Sequence, residues 1–260
     1  MKKTTVLLFF VLFLSNIVFA DESKHKNTLS IVYAHNWKPY SYKDENGVMR
    51  GILIDIANEV LVKKLNMKIT HIGQPWKRAQ NSVKDGVYDA LITAPSKERL
   101  EYLISTKNEL YSLQWRVFVS KKSRYYDEII NMKDPLKSNK FSFISLLGDK
   151  TSEAFYKEEK LHFLQVQNID NAIKMLAIGR ADIFIHSKAI MLDNLNRLKL
   201  NQKVQIHDKE YKKIPFTFLL SKKSKTKEGV LPRIDHLIDS MKKNNSYVDL
   251  LNKLELKNNK

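Results

Sequence analysis

The chain has 260 residues, of which 45 are Lys or Arg and 28 are Asp or Glu, and it contains no cysteine. Disulfides, thiol chemistry and cysteine-ligated metals are therefore excluded. The net charge of +17 raises the question of nucleic-acid binding, because basic surfaces attract phosphate. The lysines are scattered in pairs along the whole chain, which is typical of a solvated surface, and we expect no nucleic-acid partner. The pairs are Lys63-Lys64, Lys121-Lys122, Lys212-Lys213, Lys222-Lys223 and Lys242-Lys243.

Residues 1–20 have the three parts of a secretory signal peptide. Lys2 and Lys3 precede an apolar stretch over 6–19, and small Ala20 precedes an acidic pair. A membrane anchor is the rival interpretation, but the stretch is interrupted by polar residues and is shorter than the about 20 apolar residues that a spanning helix needs. We expect cleavage after Ala20, no stable membrane insertion and, without a cysteine for lipid attachment, a freely diffusing protein in the periplasm.

The mature part alternates short apolar runs with amphipathic stretches, and this pattern is typical of an α/β protein built from crossover units. Helices are expected where apolar residues recur at helical spacing, and strands where β-branched residues form short runs. The first expected elements are a strand over Leu29–Ala34, a helix over Leu53–Leu65, a strand over Met67–Ile72, a helix from Pro75 to Val83 and a strand over Val87–Thr93.

Two segments of the chain are echoed later in it. Gly86–Ile92 resembles Gly179–Ile185, and Val117–Ser123 resembles Phe218–Ser224. Each glycine follows a helix-like segment, so we expect each to end a helix in the left-handed conformation before an Asp leads into a buried strand. The echoes predict two similar lobes. Because no Gly/Ser-rich or Pro-rich linker separates them, the hinge should be structured.

Motifs in order along the chain resemble the periplasmic solute-binding proteins of the amino-acid type, family 3. No single motif is specific, but their ordered sequence covers nearly the whole mature chain. The motifs are Trp37–Tyr42, Glu45–Gly47, Gly51–Ile56, Pro75–Ala79, Gly86–Ala90, Glu98–Arg99, Trp115–Lys122, Gly179–Asp182 and Tyr247–Leu251.

This resemblance implies a two-lobed clamshell, the type II periplasmic binding protein fold, in which each lobe is a central β-sheet flanked by helices. Lobe 1 is expected to comprise residues 21–120 and 215–260, and lobe 2 residues 121–214. A monomer without cofactor or metal would close around a small ligand and deliver it to an ABC permease of the inner membrane.

The resemblance also implies where the ligand binds. Arg99 stands where the family holds the ligand's carboxylate, and a guanidinium fork suits that group. An ion pair of Arg99 with a neighbouring glutamate is the alternative. Trp37 and Tyr40 follow the first strand, where family members stack aromatic rings on the ligand. Core packing is the equal alternative for Tyr40. Thr93, at the end of its strand, completes the lobe 1 set.

In lobe 2, Thr151 and Ser152 precede an expected helix over Glu153–Lys157, and hydroxyl and backbone N–H groups at a helix start favour an anion. A simple helix-capping role is compatible with this. Ser187 occupies the position at which family members usually place an acid for the ligand's α-ammonium. The neutral hydroxyl leaves the ligand's identity open. We interpret Trp76 as structural and Arg78 as part of a solvated helix face.

The sequence contains no spacing typical of a catalytic triad, paired carboxylates or a metal-binding pair of histidines. We therefore expect binding without catalysis of a small polar, carboxylate-bearing solute. Two alternatives of the same fold stay open: a periplasmic sensory or partner-binding protein, and a dehydratase-type enzyme.

Overall fold

The computed structural model describes residues 28–147, 150–225 and 229–258. The predicted signal peptide lies outside this part of the chain. Within it, no helix has the length and apolar character needed to cross a membrane. The strands are β1 (Thr28–Ala34), β2 (Asn36–Trp37), β3 (Ser41–Lys43), β4 (Met49–Arg50), β5 (Lys68–Gln74), β6 (Ala90–Thr93), β7 (Leu103–Ser120), β8 (Ser142–Leu146), β9 (His162–Val166), β10 (Ile183–Ser187) and β11 (Val204–Ser221).

The helices follow the strands as the alternating sequence pattern predicts. The expected helix over Leu53–Leu65 begins as an α-helix and continues as a π-helical segment over Asn58–Lys64. The α-helices are α1 (Ile52–Ala57), α2 (Trp76–Lys84), α3 (Lys97–Tyr102), α4 (Tyr126–Asn131), α5 (Lys150–Glu158), α6 (Ile169–Ala177), α7 (Lys188–Arg197), α8 (Val230–Lys243) and α9 (Ser246–Asn258).

Eight strands form one large sheet in the order β5-β1-β6-β11-β7-β10-β8-β9. Its two ends are parallel, with β1 between β5 and β6 at one end and β8 between β9 and β10 at the other. Helices connect these parallel strands, as crossover units require. The prediction of an α/β fold with a central sheet flanked by helices is confirmed.

The two ends of the sheet are joined by β7 and β11. Each strand has 18 residues, and they run antiparallel from the pair Val204/Ser120 to the pair Ser221/Leu103. β6 pairs with the end of β11, and β10 with the end of β7. The predicted lobe boundary after residue 120 coincides with the end of β7, and the boundary after residue 214 falls inside β11. These boundaries stay a prediction.

The first sequence echo corresponds to a repeated turn. Gly86 and Gly179 follow α2 and α6 with φ angles of 81° and 78°, so both adopt the expected left-handed conformation. A Cβ atom on Gly179 would lie 2.8 Å from the carbonyl oxygen of Lys122. Both the backbone conformation and the space therefore favour glycine at this turn.

Asp89, three residues after the first of these glycines, ties the turn to two distant segments. Its Oδ2 accepts hydrogen bonds from the N–H (2.9 Å) and the hydroxyl (2.6 Å) of Ser30 in β1. Its Oδ1 accepts one from the Ser224 hydroxyl, just beyond β11, at 2.7 Å.

Asp182 repeats this arrangement in the other half of the molecule. Its Oδ2 accepts from the N–H (2.8 Å) and the hydroxyl (2.7 Å) of Ser142 in β8, and its Oδ1 from the Ser123 hydroxyl at 2.5 Å. Ser123 and Ser224 are the last residues of the second sequence echo. The first echo supplies the aspartate and the second echo supplies one of its serine partners. The same set of hydrogen bonds therefore occurs twice, once at the end of each long strand.

Replacing Asp89 with alanine should lower the free energy of unfolding by about 3 kcal/mol, because three hydrogen bonds to a carboxylate are lost. Urea unfolding of Asp89→Ala and of the exposed control Asp85→Ala measures this. Equal unfolding midpoints in the two variants would show that the serine bonds contribute nothing.

Candidate functional site

A pocket of ≈ 370 Å³ lies at the carboxyl ends of the parallel strands β1 and β6. Ligands of open α/β sheets bind at such ends, because the connecting loops leave a crevice there. The residues described as lining it come from 33–99 and contain one formally charged side chain, Arg99. They are Tyr33, Ala34, Asn36, Trp37, Ser41, Leu53, Trp76, Ile92, Thr93 and Arg99.

Arg99 belongs to the first turn of α3, which Ser96 caps by accepting a hydrogen bond from the Arg99 backbone N–H at 3.3 Å. The guanidinium is held on two further sides. Its Nε donates to Oε1 of Gln80 at 3.0 Å, and its Nη1 donates to the carbonyl oxygen of Ala94 at 2.8 Å. Its Cζ lies 5.4 Å from the ring centroid of Trp76.

These contacts leave part of the guanidinium available. Two of its five N–H groups are used, so three remain, and Nη2 has no hydrogen-bond partner among the residues that the structure describes. The predicted alternative, an ion pair of Arg99 with a neighbouring glutamate, is not observed among the contacts of these residues. A fixed cation with unused donors in a pocket suits a carboxylate.

Trp37 and Thr93 lie beside Arg99 in the pocket, so the structure brings three of the predicted residues together. Trp37 is half-buried in β2. Its ring centroid lies 4.5 Å from that of Tyr40 and 5.8 Å from that of Phe216. Thr93 ends β6 and pairs with Thr217 of β11. The indole therefore offers an apolar wall, and Thr93 a hydroxyl, next to the cation.

Tyr40 is placed elsewhere. It is fully buried in the main core cluster, and its hydroxyl lies 2.5 Å from Oγ of Ser187. Ser187 is buried too, and its Oγ accepts the Ile190 N–H at 3.3 Å and so caps α7. Neither residue lines the pocket. Both hydroxyls are used in packing the start of α7 against the part of the sheet that contains β1, and this favours the core interpretation of Tyr40. The ligand-binding role of Tyr40 and Ser187 stays a prediction.

Beyond the Tyr40–Ser187 contact, Tyr111 leads to a partly buried ion pair. The Tyr40 ring lies 5.8 Å from that of Tyr111, whose hydroxyl donates to Oε1 of Glu255 at 3.1 Å. Oε2 of Glu255 pairs with Nζ of Lys188, the residue after Ser187, at 3.2 Å. Burial raises the pKa of both tyrosines well above their usual range, so they are neutral donors and acceptors at physiological pH.

A helix is present where the sequence predicts one, but α5 begins at Lys150, so Thr151 and Ser152 lie in its first turn and not before it. Their side chains lie outside the described part of the structure. Nothing is therefore added to the prediction that they bind the ligand.

Seven of the ten residues described as lining the pocket were not predicted as site residues, Asn36 and Trp76 among them, and Gln80 behind the pocket was not predicted either. Asn36 carries no signal beyond its place after β1. Trp76, interpreted as structural, is the half-buried first residue of α2, packs against the core and also lines the pocket near Arg99. Gln80 does not line the pocket but holds the guanidinium. The i, i+4 spacing of Trp76 and Gln80 puts both on one helical face, and this is the signal that could have linked them to Arg99.

Removing the Tyr40 hydroxyl should destabilise the fold by about 1–2 kcal/mol, because a buried hydrogen bond is lost. Urea unfolding of Tyr40→Phe measures this. Tyr247→Phe is the matched control. Tyr247 is also a buried tyrosine, but its hydroxyl donates to the carbonyl oxygen of Glu109 and makes no contact with Ser187. If Tyr40→Phe unfolded at the parent's urea concentration while the control did not, the contact with Ser187 would be without energetic weight.

His71 makes the stability of this region sensitive to pH. Its Nδ1 lies 3.1 Å from the hydroxyl of Tyr33, which lines the pocket, and its Nε2 lies 3.0 Å from Oδ1 of Asn58. Burial lowers the pKa of His71 below 6.5. The unfolded chain therefore takes up the proton first as the pH falls, and this group's contribution to the free energy of unfolding decreases through that range.

Replacing His71 with glutamine should flatten this dependence. Urea unfolding at pH 7.5 and 5.5 should show a smaller loss of stability on acidification in His71→Gln than in the parent. The comparison with the parent isolates the effect of residue 71, because the two proteins differ at this position alone. An equal loss in both proteins would show that His71 is not held neutral.

Comparison with known proteins agrees with this architecture. The chain is 23% identical to the probable amino-acid-binding protein YxeM of Bacillus subtilis (strain 168), over 97% of this chain and 95% of that protein. Its fold matches the Ancestral Cationic Amino Acid Solute Binding Protein (AncCDT-1) with a TM-score of 0.67 and 23% identity, over 90% of this chain and 98% of the other.

It also matches substrate-binding domain 2 of Lactococcus lactis GlnP in the open conformation, with a TM-score of 0.67 and 16% identity, over 88% of this chain and 96% of the other. These neighbours are two-lobed type II periplasmic binding proteins, so the predicted fold is confirmed. The sequence profile of one family matches residues 29–255. The chain belongs to the bacterial extracellular solute-binding proteins, family 3.

Proposed function

We propose that this protein binds an amino acid or a related small carboxylate in the pocket in front of Arg99, without chemical turnover. The observation that carries the proposal is the guanidinium itself, which is fixed on two sides by Gln80 and Ala94 and keeps unused donors. The pocket's volume suits a ligand of amino-acid size. Relatives are named as amino-acid-binding proteins, in agreement with this ligand class.

The walls of the pocket support recognition of a ligand that is polar at one end and apolar at the other. Trp37 and Trp76 present aromatic surface, and Leu53 and Ile92 add aliphatic surface. Binding sites for small molecules combine such walls with a few polar groups that fix orientation. Arg99 would hold the carboxylate while the aromatic rings cover the remainder of the ligand.

The described lining residues favour binding over catalysis. They include no carboxylate and no histidine, which are the side chains that most often serve as general acids and bases. Incubation of the protein with prephenate and arogenate tests the dehydratase alternative. Product formation above the uncatalysed rate would replace the binding function with an enzymatic one.

We further propose a transport role in the periplasm after removal of residues 1–20. In this proposal, lobes of residues 21–120 with 215–260 and of residues 121–214 close around the ligand and present it to an ABC permease. The support is the fold, whose paired strands β7 and β11 run between both halves of the sheet. A role in sensing would use the same closure, and binding to a permease or to a sensor distinguishes the two.

Replacing Arg99 with alanine should weaken carboxylate binding by about 100-fold, because charge-assisted hydrogen bonds to the ligand are lost. Thermal-shift screening of the parent against the standard amino acids and small carboxylic acids identifies ligands, which should raise the unfolding temperature by mass action. Calorimetric titration of the best ligand then compares the parent with Arg99→Ala.

Arg78→Ala is the matched control. Arg78 is exposed on α2, outside the lining of the pocket, and its removal takes away the same charge. The control should bind the ligand with the parent's affinity. Equal affinity of Arg99→Ala and the parent would rule out Arg99 as the carboxylate-binding residue.

A further inference from the structure

One face of α2 is directed to the Arg99 side chain. Trp76 and Gln80 are four residues apart, so they lie one above the other on the helix surface. The Trp76 ring stacks near the guanidinium, with 5.4 Å between Cζ and the ring centroid, and Oε1 of Gln80 accepts the Nε proton at 3.0 Å. Together with the carbonyl oxygen of Ala94 on Nη1, they contact the guanidinium on three sides.

We propose that Gln80 is a positioning residue for ligand binding: with Trp76 it forms a clamp that fixes the guanidinium of Arg99 before the ligand arrives. The proposal rests on the proposed function and deepens it. Gln80 itself is outside the pocket lining and acts through Arg99.

The clamp determines which edge of the guanidinium the ligand meets. A carboxylate can bind an arginine side-on, through Nε and Nη2, or end-on, through Nη1 and Nη2. Gln80 occupies the single Nε proton, so the side-on mode is blocked. Nη1 keeps one proton and Nη2 keeps both, so each terminal nitrogen retains a donor for one oxygen of a carboxylate. The structure therefore assigns end-on, bidentate capture of the carboxylate.

Fixing Arg99 in advance also affects affinity. An arginine has many rotamers, and a ligand that must order them loses binding free energy in doing so. The Trp76 ring and the two acceptors restrict the guanidinium already in the free protein, so the ligand does not have to order it. Without the Gln80 acceptor, the loss of side-chain entropy would occur on ligand binding and would lower the affinity.

A purely structural role for Gln80, in which it only attaches α3 to α2, is the competing explanation. It predicts a loss of stability without a change in the guanidinium's response to a carboxylate. The two explanations are separated by ¹⁵N NMR of the arginine side chains, with the Arg99 Nε–H signal assigned by its absence in Arg99→Lys. Acetate serves as the carboxylate probe.

Gln80→Met keeps the length of the side chain and removes the acceptor. We expect faster solvent exchange of the Arg99 Nε–H proton and weakening of acetate binding at Arg99 by about 3- to 10-fold. Gln80→Glu, which restores an acceptor, should recover the protected Nε–H signal. Asn81→Met is the matched control on the exposed neighbouring position of α2, and it should behave as the parent.

Two results would overturn the clamp: an unchanged Nε–H signal in Gln80→Met, or an altered signal with unchanged acetate affinity. Equal urea unfolding of the Met variants verifies that the fold is intact. If acetate does not change the Arg99 Nε–H signal of the parent protein, the proposed function is contradicted, and so is the role of the clamp in binding. An acetate response that Gln80→Met leaves unchanged contradicts the clamp alone.

Discussion

The antiparallel pairing of β7 and β11 is the constraint on which the remaining structure depends. Each strand is long enough to serve as a central strand in both halves of the sheet, so one pair of strands supports two sets of parallel strands. Shifts in their register occur between Ile206 and Lys212 and between Phe216 and Leu219. Irregularities of this kind bend the strand and increase the local twist of the sheet.

The ends of these long strands are fixed by Asp89 and Asp182, which each bind two serine side chains. The N–H of Ser120 donates to the carbonyl oxygen of Asp182, and the N–H of Ser221 to that of Asp89. Each strand is thus anchored, at its carboxyl end, to the turn that leads into the neighbouring strand. Similar sequences therefore occur at the two places where the end of a long strand is anchored by the same hydrogen bonds. Because only these few residues share that role, the echoes are short and lie far apart.

Several features followed from local sequence alone. The left-handed glycines could be predicted because a helix end before a strand requires a conformation that few other residues adopt. The pocket's position could be predicted in part, since residues after β1 and β6 must meet at one edge of a parallel sheet. The resemblance to family 3 pointed to Arg99 and Trp37, and Thr93 stands at the end of its strand.

Tyr40 and Ser187 show where such reasoning ends. A buried aromatic ring and a ligand-stacking ring have the same composition and spacing, and only the distance of 2.5 Å to a residue 147 positions away assigns Tyr40 to the core. Gln80 is the converse case: its spacing from Trp76 is visible in the sequence, but its contact with the guanidinium arises because α3 brings Arg99 beside it.

The sequence by itself determined the α/β class, the repeated turns and the residue types able to bind a carboxylate, because these depend on contacts within a few residues. Only the tertiary structure decided which of them share a pocket, because pairing across β7 and β11 and packing of α7 bring together side chains that are distant along the chain.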